Sequence, residues 1–96
     1  MYRIFEWDEA KATSNFRKHG VRFEAAALVF DDPLAKTIQD RVENGEMRWL
    51  TFGMVHGVQL LLAAHTLRDS ESGAEIVRII SARRPTKQEK RHYENS

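Results

Sequence analysis

The sequence predicts a single α+β domain over residues 1–96, in which an N-terminal strand and two helices pack on a mostly antiparallel sheet and a further helix follows at the C-terminus. Apolar residues recur at helical spacing as far as Phe30 and at a period of two from Leu34 onward. The dipeptide Asn44-Gly45 favours a tight hairpin. The 96 residues contain no repeat, linker or low-complexity segment, and this length suits one modest core.

The N-terminal third is predicted to form one strand and two helices. Ile4–Trp7 is typical of a short strand, and Asp8 is a good N-cap for the first helix. His19-Gly20 ends that helix, because glycine suits a left-handed C-cap. The second helix is predicted to stop at Asp31-Asp32-Pro33, and its apolar stripe consists of Phe23, Ala26, Ala27 and Phe30.

A meander of four strands and a last helix are predicted to follow. Val55-His56-Gly57 indicates a second turn, and the polar run from Arg68 to Gly73 indicates a third. A terminal helix is predicted from Thr86, just after Pro85. The third strand of the meander has apolar residues on both sides of its alternation, which favours a central strand covered on both faces. The four predicted strands are Leu34–Gln39, Met47–Phe52, Gln59–Leu67 and Glu75–Ala82.

Composition excludes several kinds of chemistry. The chain has no cysteine, so disulfides, thiol nucleophiles and Cys-ligated zinc are excluded. Its longest apolar run, Leu60–Ala64, is far shorter than the ~20 residues of a membrane span, so no membrane segment is expected. The N-terminus turns acidic where a secretory signal would be apolar, and we expect a cytoplasmic protein. The four histidines lack metal-ligand spacing and there is no Gly-rich phosphate loop, so neither a metal nor a cofactor is predicted.

Positive charge is concentrated at the C-terminal end of the chain. The net charge is +1, yet residues 78–96 carry six Lys and Arg against Glu89 and Glu94, which gives +4 for that segment and −3 for the rest. Such a concentration is a local footprint for a polyanion, although the domain as a whole is not strongly basic.

Three blocks of the sequence form a pattern that spans nearly the whole chain. They are Phe5-Glu6-Trp7-Asp8-Glu9 followed by Lys11, Asn15, Lys18-His19-Gly20-Val21, Phe23 and Ala26; then Arg48-Trp49, Ala64-His65-Thr66 and Arg68; then Ile79-Ile80-Ser81-Ala82-Arg83 with a Lys/Glu/Arg-rich helix. In order and spacing, the pattern resembles the BrnT toxins of bacterial type II toxin–antitoxin systems. One position departs from the family, since Arg22 precedes Phe23 where a small capping residue such as Ser is frequent, and Arg cannot accept the capping bond.

The resemblance implies a small ribonuclease with a RelE-like fold. Together with the absence of metal-ligand spacing, it leads us to expect a metal-independent endoribonuclease that inhibits translation and growth. A BrnA-like antitoxin is the implied partner, and RNA is the implied substrate. Operator DNA would be reached only indirectly, through the DNA-binding domain of the antitoxin. Whether the protein forms a homodimer is left open by the sequence.

Metal-free RNA cleavage by 2′-hydroxyl attack needs a base, an acid and cations that stabilise the charge on the phosphorane. Arginine suits the cationic role because its planar fork binds two phosphate oxygens. Arg68 and Arg83 are predicted to fill this role, since both lie at strand ends beside turns and match the family blocks. We expect them to converge on one exposed hollow. The alternative is a surface arginine paired with Asp69 or Glu71.

Two histidines are candidates for proton transfer in the same reaction. His65 qualifies by residue type, because an imidazole titrates near neutral pH, although its apolar alternation partners Leu61 and Leu67 favour a histidine buried in the core. His19 adjoins Lys18 in the first family block, while its place at a helix C-terminus is explained equally well by capping.

The remaining candidates are cations and aromatic residues that would bind RNA. Lys11, Asn15 and Lys18 share one helical face, which a solvated or partner-binding face explains equally well. The terminal helix would form either a rim for RNA phosphates or a surface for an acidic antitoxin segment. Tyr93 would donate a proton or stack on an RNA base, or alternatively pack that helix onto the sheet. The predicted RNA-binding residues are Lys11, Lys18, Arg48, Lys87, Arg91 and Tyr93.

Two functions other than ribonuclease stay open at this stage. One is a non-catalytic module whose basic end binds nucleic acid or the antitoxin, since the sequence has no unmistakable acid–base pair. The other is a regulatory subunit that matters only within the repressor complex.

Overall fold

A computed structural model describes residues 2–95 and shows an α+β domain with one five-stranded mixed sheet. Nine segments of regular structure follow one another along this part of the chain. They are β1 (Arg3–Glu6), α1 (Glu9–His19), α2 (Phe23–Ala27), a 3₁₀ turn (Leu28–Asp31), β2 (Lys36–Glu43), β3 (Glu46–Val55), β4 (Gln59–Asp69), β5 (Glu75–Arg83) and α3 (Lys87–Glu94).

The predicted ends of α1 are confirmed. The side chain of Asp8 accepts a hydrogen bond from the backbone N–H of Lys11 at 3.1 Å, and Gly20 ends the helix at φ 70°. The second helix is shorter than predicted, because after Ala27 the chain tightens into the 3₁₀ turn. It nevertheless begins at Phe23, although Arg22 supplies no side-chain capping bond.

The strand order is β1-β5-β4-β3-β2, so the prediction that Gln59–Leu67 lies in the centre of the sheet is confirmed. The four strands of the meander pair antiparallel, while β1 joins the edge of β5 in parallel. The second strand begins two residues later than predicted and runs on to Glu43. It does so because Asn44 and Gly45, at φ 54° and 77°, form a tight turn that lets Glu43 pair with Glu46.

One face of the sheet, here called the helix face, carries α1, α2 and the 3₁₀ turn. The 3₁₀ turn lies very close to β3, since a Cβ built on Gly53 would come within 2.4 Å of the carbonyl oxygen of Val29. The main core lies between these elements and the sheet. Its most deeply buried members include Phe23, Ala26, Val29, Leu61, Ala63, Val77 and Ile79.

The opposite face, here called the open face, is covered only in part by α3. Lys36, Phe52, Leu62 and Arg83 form one row across the four antiparallel strands. At one end of this row Lys36 Nζ donates to the carbonyl oxygen of Tyr93, and at the other end Arg83 pairs with Glu89. Because α3 crosses this row, Phe52 and Leu62 are buried.

The first helix docks on the edge of β5 that β1 leaves uncovered, since the pairing of β1 ends at Glu6 and Arg78. Asn15 is 7% exposed, and its Nδ2 donates to the carbonyl oxygens of Ala82 at 2.8 Å and Val21 at 3.0 Å. The amide of Asn15 is therefore occupied by backbone groups, so Asn15 does not belong with Lys11 and Lys18 as a phosphate contact. In residues 2–95 no helix is long and apolar enough to cross a membrane.

Candidate functional site

A hollow with a volume of about 300 Å³ lies on the open face beside α3. We call it the basic hollow, because three arginines from three different strands line it: Arg41 from β2, Arg48 from β3 and Arg83 from β5. Its other lining residues are Asp40, Leu50, Leu62, Ala64, Ile80 and Ser81.

Two of these arginines lie directly opposite each other, because the tight hairpin places Arg41 against Arg48. Like charges in such a pair repel each other. One carboxylate offsets this repulsion, since Glu43 lies 2.7 Å from Nη1 of Arg48 and 3.6 Å from Nε of Arg41. Within residues 2–95, the buried Nε of Arg48 has no hydrogen-bond acceptor.

A β-bulge in β5 shapes the side of the hollow next to α1. Ala64 pairs with Ser81 and His65 with Ile79, so Ile80 has no partner of its own. A bulge re-aims side chains, and here Ile80 and Ser81 both line the basic hollow.

The same bulge also lines a second depression of about 240 Å³, here called the α1 groove. Lys11, Lys18 and His19 line this groove together with Ile80 and Ser81. Three of the sequence candidates on α1 therefore border the same stretch of β5 as Arg83.

The guanidinium of Arg83 binds the carboxylate of Glu89 end-on. Nη1 and Nη2 lie 2.8 and 3.0 Å from the two carboxylate oxygens, and Nη1 also donates to the carbonyl oxygen of Arg84 at 3.2 Å. The hydrogen bond from Arg83 lowers the pKa of Glu89 from 4.5 to about 2, and the hydrogen bond to Glu89 raises the pKa of Arg83. Arg83 is therefore a fixed cation at the border of the hollow.

Arg68 lies on the same face of the sheet as Arg83, because it alternates in phase with Leu62, the strand partner of Arg83. Arg68 does not line the basic hollow, so the expected convergence with Arg83 is not observed there. Nη1 of Arg68 lies 2.6 Å from Oε1 of Glu6, and this hydrogen bond lowers the pKa of the Glu6 carboxyl. The partner of Arg68 is thus on β1 and is neither Asp69 nor Glu71.

His65 lies on the helix face and not in the basic hollow. It is fully buried, and its Nε2 lies 2.7 Å from Oγ1 of Thr51, while Nδ1 lies 3.3 Å from the carbonyl oxygen of Thr66. Its ring meets that of Phe30 edge-on at 5.1 Å. Burial lowers the pKa of His65. These contacts match the alternative that His65 is buried in the core and takes no part in proton transfer.

The candidates on α3 lie outside the basic hollow. Lys87 and Arg91 are exposed on the helix. The hydroxyl of Tyr93 donates to Oδ2 of Asp32 at 2.5 Å, and burial together with this bond raises the pKa of Tyr93 to about 12. The phenol thus fastens α3 to the segment that precedes β2.

Sequence reasoning did not single out Arg41 or Glu89. The first could have been found, because a two-residue turn at Asn44-Gly45 places Arg41 opposite Arg48. The second has a helix-cap signal in Thr86 and Glu89, but nothing in the spacing shows that Glu89 reaches Arg83. In residues 2–95 no three His, Asp or Glu side chains come together as metal ligands.

Comparisons with known proteins agree with this architecture. The structure is similar to the 1.1 Å-resolution crystal structure of the Brucella abortus ribonuclease toxin, BrnT, with a TM-score of 0.65, 27% sequence identity, and coverage of 91% of this chain and 100% of that one. No curated protein matches the chain. Residues 7–89 match the family described as the ribonuclease toxin, BrnT, of type II toxin–antitoxin systems. Since the match covers most of its length, the chain belongs to the BrnT family of ribonuclease toxins.

Proposed function

We propose that this toxin cleaves RNA on the open face of its sheet, by attack of a 2′-hydroxyl on the adjacent phosphorus, without a metal or cofactor. The observation that carries the proposal is the basic hollow, where Arg41, Arg48 and Arg83 border apolar sheet residues. Guanidinium groups bind phosphate oxygens in pairs and keep their charge, so they suit both the bound phosphodiester and the phosphorane.

Arg83 is the proposed contact to the scissile phosphate, because it lines the hollow and is held rigidly by Glu89. Rigid placement of a charged group reduces the reorganisation that the reaction requires. Arg48 is the proposed contact on the opposite side, where its buried Nε lacks an acceptor within the described residues. Arg68 is not proposed as a contact to the scissile phosphate, since it lies outside the hollow.

His19 is the proposed group for proton transfer. It borders Ile80 and Ser81 in the α1 groove, and these two residues also line the basic hollow. Imidazole both accepts and donates a proton near neutral pH, as the reaction requires. His65 is not proposed, since it is fully buried on the helix face. Lys11 and Lys18 would bind RNA phosphates that flank the cleavage site.

The proposal includes a BrnA-like antitoxin as partner and a RelE-like classification of the fold. A basic open face would attract an acidic antitoxin segment, which would compete with RNA for the same arginines. Contact with operator DNA would then come through the antitoxin. A toxin that acts on cellular RNA would do so in the cytoplasm.

A non-catalytic binding module is the second candidate. One observation favours it: Arg48, Arg68 and Arg83 each carry a carboxylate partner, namely Glu43, Glu6 and Glu89. Ion-paired arginines are common on interaction surfaces and do not by themselves require catalysis.

Cleavage of RNA in the presence of EDTA tests the proposal. We expect the wild type to cleave and Arg83→Ala to lose at least about 100-fold in rate, which is typical for the loss of one transition-state donor. Arg17→Ala is the matched control, because Arg17 is an exposed cation that lines a different groove of α1. RNA binding without cleavage by the wild type, together with growth arrest that survives Arg83→Ala, would favour the binding module.

A further inference from the structure

The hydrogen bonds of Arg83 use only part of its guanidinium. Its end-on fork, Nη1 and Nη2, binds Glu89, and the second N–H of Nη1 is directed to the carbonyl oxygen of Arg84. Two N–H donors remain on the other edge, one on Nε and one on Nη2, and no residue among 2–95 accepts from Nε. Such a side-on pair has the geometry to bind two oxygens of one phosphate.

Glu89 is itself held in place by the start of α3. Its Oε1 accepts from the backbone N–H of Thr86 at 2.8 Å, while its own backbone N–H donates to Oγ1 of Thr86 at 3.1 Å. This reciprocal capping box fixes the carboxylate relative to the helix. One carboxylate oxygen thus serves the helix cap and Arg83 at once.

We propose that Glu89 is a positioning residue, which holds the end-on fork of Arg83 so that the side-on pair, Nε and Nη2, is presented to a phosphodiester in the basic hollow. The inference rests on the proposed function, because it assumes that the hollow binds RNA. It adds a residue outside the hollow that acts only through Arg83.

A rival idea is that Glu89 masks Arg83 and that RNA must displace it. The contacts argue against this idea. A phosphate bound end-on to Arg83 would meet the Glu89 carboxylate at close range and repel it, and displacing Glu89 would also remove its bond to the N–H of Thr86. A phosphate bound side-on leaves both contacts of Glu89 intact. The low pKa of Glu89, about 2, also keeps its charge at any physiological pH.

Glu89→Gln separates positioning from helix capping. Glutamine also serves at this position of a capping box, so the start of α3 is preserved. With its oxygen kept on Thr86, however, its amide N–H would face Nη2 of Arg83, and two donors cannot bond to each other. Thr86→Ala is the converse control, because it removes the hydroxyl of the cap and leaves the pair with Arg83 in place.

The expected result is a fall of about 10- to 100-fold in kcat for RNA cleavage by Glu89→Gln, with KM changed less, because the displaced guanidinium no longer presents its side-on pair to the phosphorane. Thr86→Ala should lower the melting temperature and leave kcat within about 2-fold of the wild type. In an Arg83→Ala background, Glu89→Gln should have no further effect, as expected for a residue that acts only through Arg83.

A second readout is the Nε–H resonance of Arg83 in the folded protein. It should shift when an RNA analogue without the attacking 2′-hydroxyl is added, and this shift should be absent in Glu89→Gln.

The possible failures are distinguishable. If Arg83→Ala loses cleavage while Glu89→Gln retains it, Glu89 does not position Arg83. If Glu89→Gln cleaves faster than the wild type, Glu89 is a mask and the inference is overturned. If Arg83→Ala cleaves as well as the wild type, the proposed function fails, and the inference fails with it.

Discussion

The side chain of Asn15 bonds to both backbone groups of Ala82, accepting from its N–H at 3.0 Å and donating to its carbonyl oxygen at 2.8 Å. An amide pairs with a peptide group in the same donor and acceptor pattern that a neighbouring strand would offer. Asn15 thus takes the place of a strand where β1 has ended, and it holds α1 against β5. This docking places Lys18 and His19 in the same groove as Ser81.

We expect Asn15→Ala to lower the free energy of unfolding by about 2–4 kcal/mol, because it leaves buried backbone groups of Ala82 and Val21 without partners. Urea denaturation measures the change. Ser14→Ala is the control, since Ser14 is an exposed neighbour on the same helix and should change stability by no more than about 0.5 kcal/mol. Equal stabilities of the two variants would contradict the strand-like role of Asn15.

His65 should make the fold sensitive to mild acid. Burial lowers its pKa, so the unfolded chain takes up a proton at a higher pH than the folded chain does. The stability that comes from neutral His65 is therefore fully present above pH 6.5, the ordinary value, and is lost as the pH falls toward the lowered pKa. We expect unfolding measured over this range to show the loss in the wild type and in His56→Asn, whose substitution lies in an exposed turn. His65→Gln should lack this loss of stability. If its stability falls with pH as that of the wild type does, His65 is not the group responsible.

Tyr93 should titrate far above an ordinary tyrosine. Burial and the bond to Asp32 raise its pKa to about 12, so its contribution to stability is complete below pH 10 and is lost as the pH rises through 12. The measurement is an alkaline titration of phenolate absorbance in a Tyr2→Phe variant, where Tyr93 is the tyrosine that remains. A midpoint near 10 would show that the hydroxyl is not bound to Asp32.

Lys18 should contribute to RNA affinity in a salt-dependent way. It lines the α1 groove, whereas Arg17, one residue away, lines a groove on another side of the helix. Each phosphate contact to a single strand contributes about 0.7 to the slope of log affinity against log salt. The measurement is a titration with an uncleavable RNA at several salt concentrations. Lys18→Ala should reduce the slope by about 0.7, whereas the slope for Arg17→Ala should stay near that of the wild type. Equal effects of the two changes would place the RNA elsewhere.

Local signals in the sequence predicted much of the fold. Asp8 acts through its side chain on the backbone three residues on, and Gly20 and Asn44-Gly45 act through their own backbone conformation, so the caps and the hairpin could be located without knowledge of distant contacts. The second helix was predicted too long, because the stripe that ends at Phe30 fits a 3₁₀ turn as well as an α-helix.

The site was harder to predict than the fold, because its contacts join residues far apart in the chain. Asn15 meets Ala82 across 67 positions and Arg68 meets Glu6 across 62, and no spacing rule relates such pairs. The alternation of β4 did show that His65 shares a face with Leu61, which is why a core histidine could be considered from the sequence. The approach of Glu89 to Arg83 depends on where α3 crosses the sheet, and that crossing depends in turn on Tyr93 and Lys36.

The order of the strands also has a consequence for synthesis. Ser81 and Arg83 belong to the last strand, which is inserted between the first strand and the middle of the sheet. A nascent chain that has released only β1 to β4 from the ribosome therefore has a gap where β5 belongs, and it presents Arg41 and Arg48 but not yet Arg83. Long-range pairing of this kind is also slow to form. The hollow therefore gains Arg83 only after the four strands that precede β5 have been synthesised.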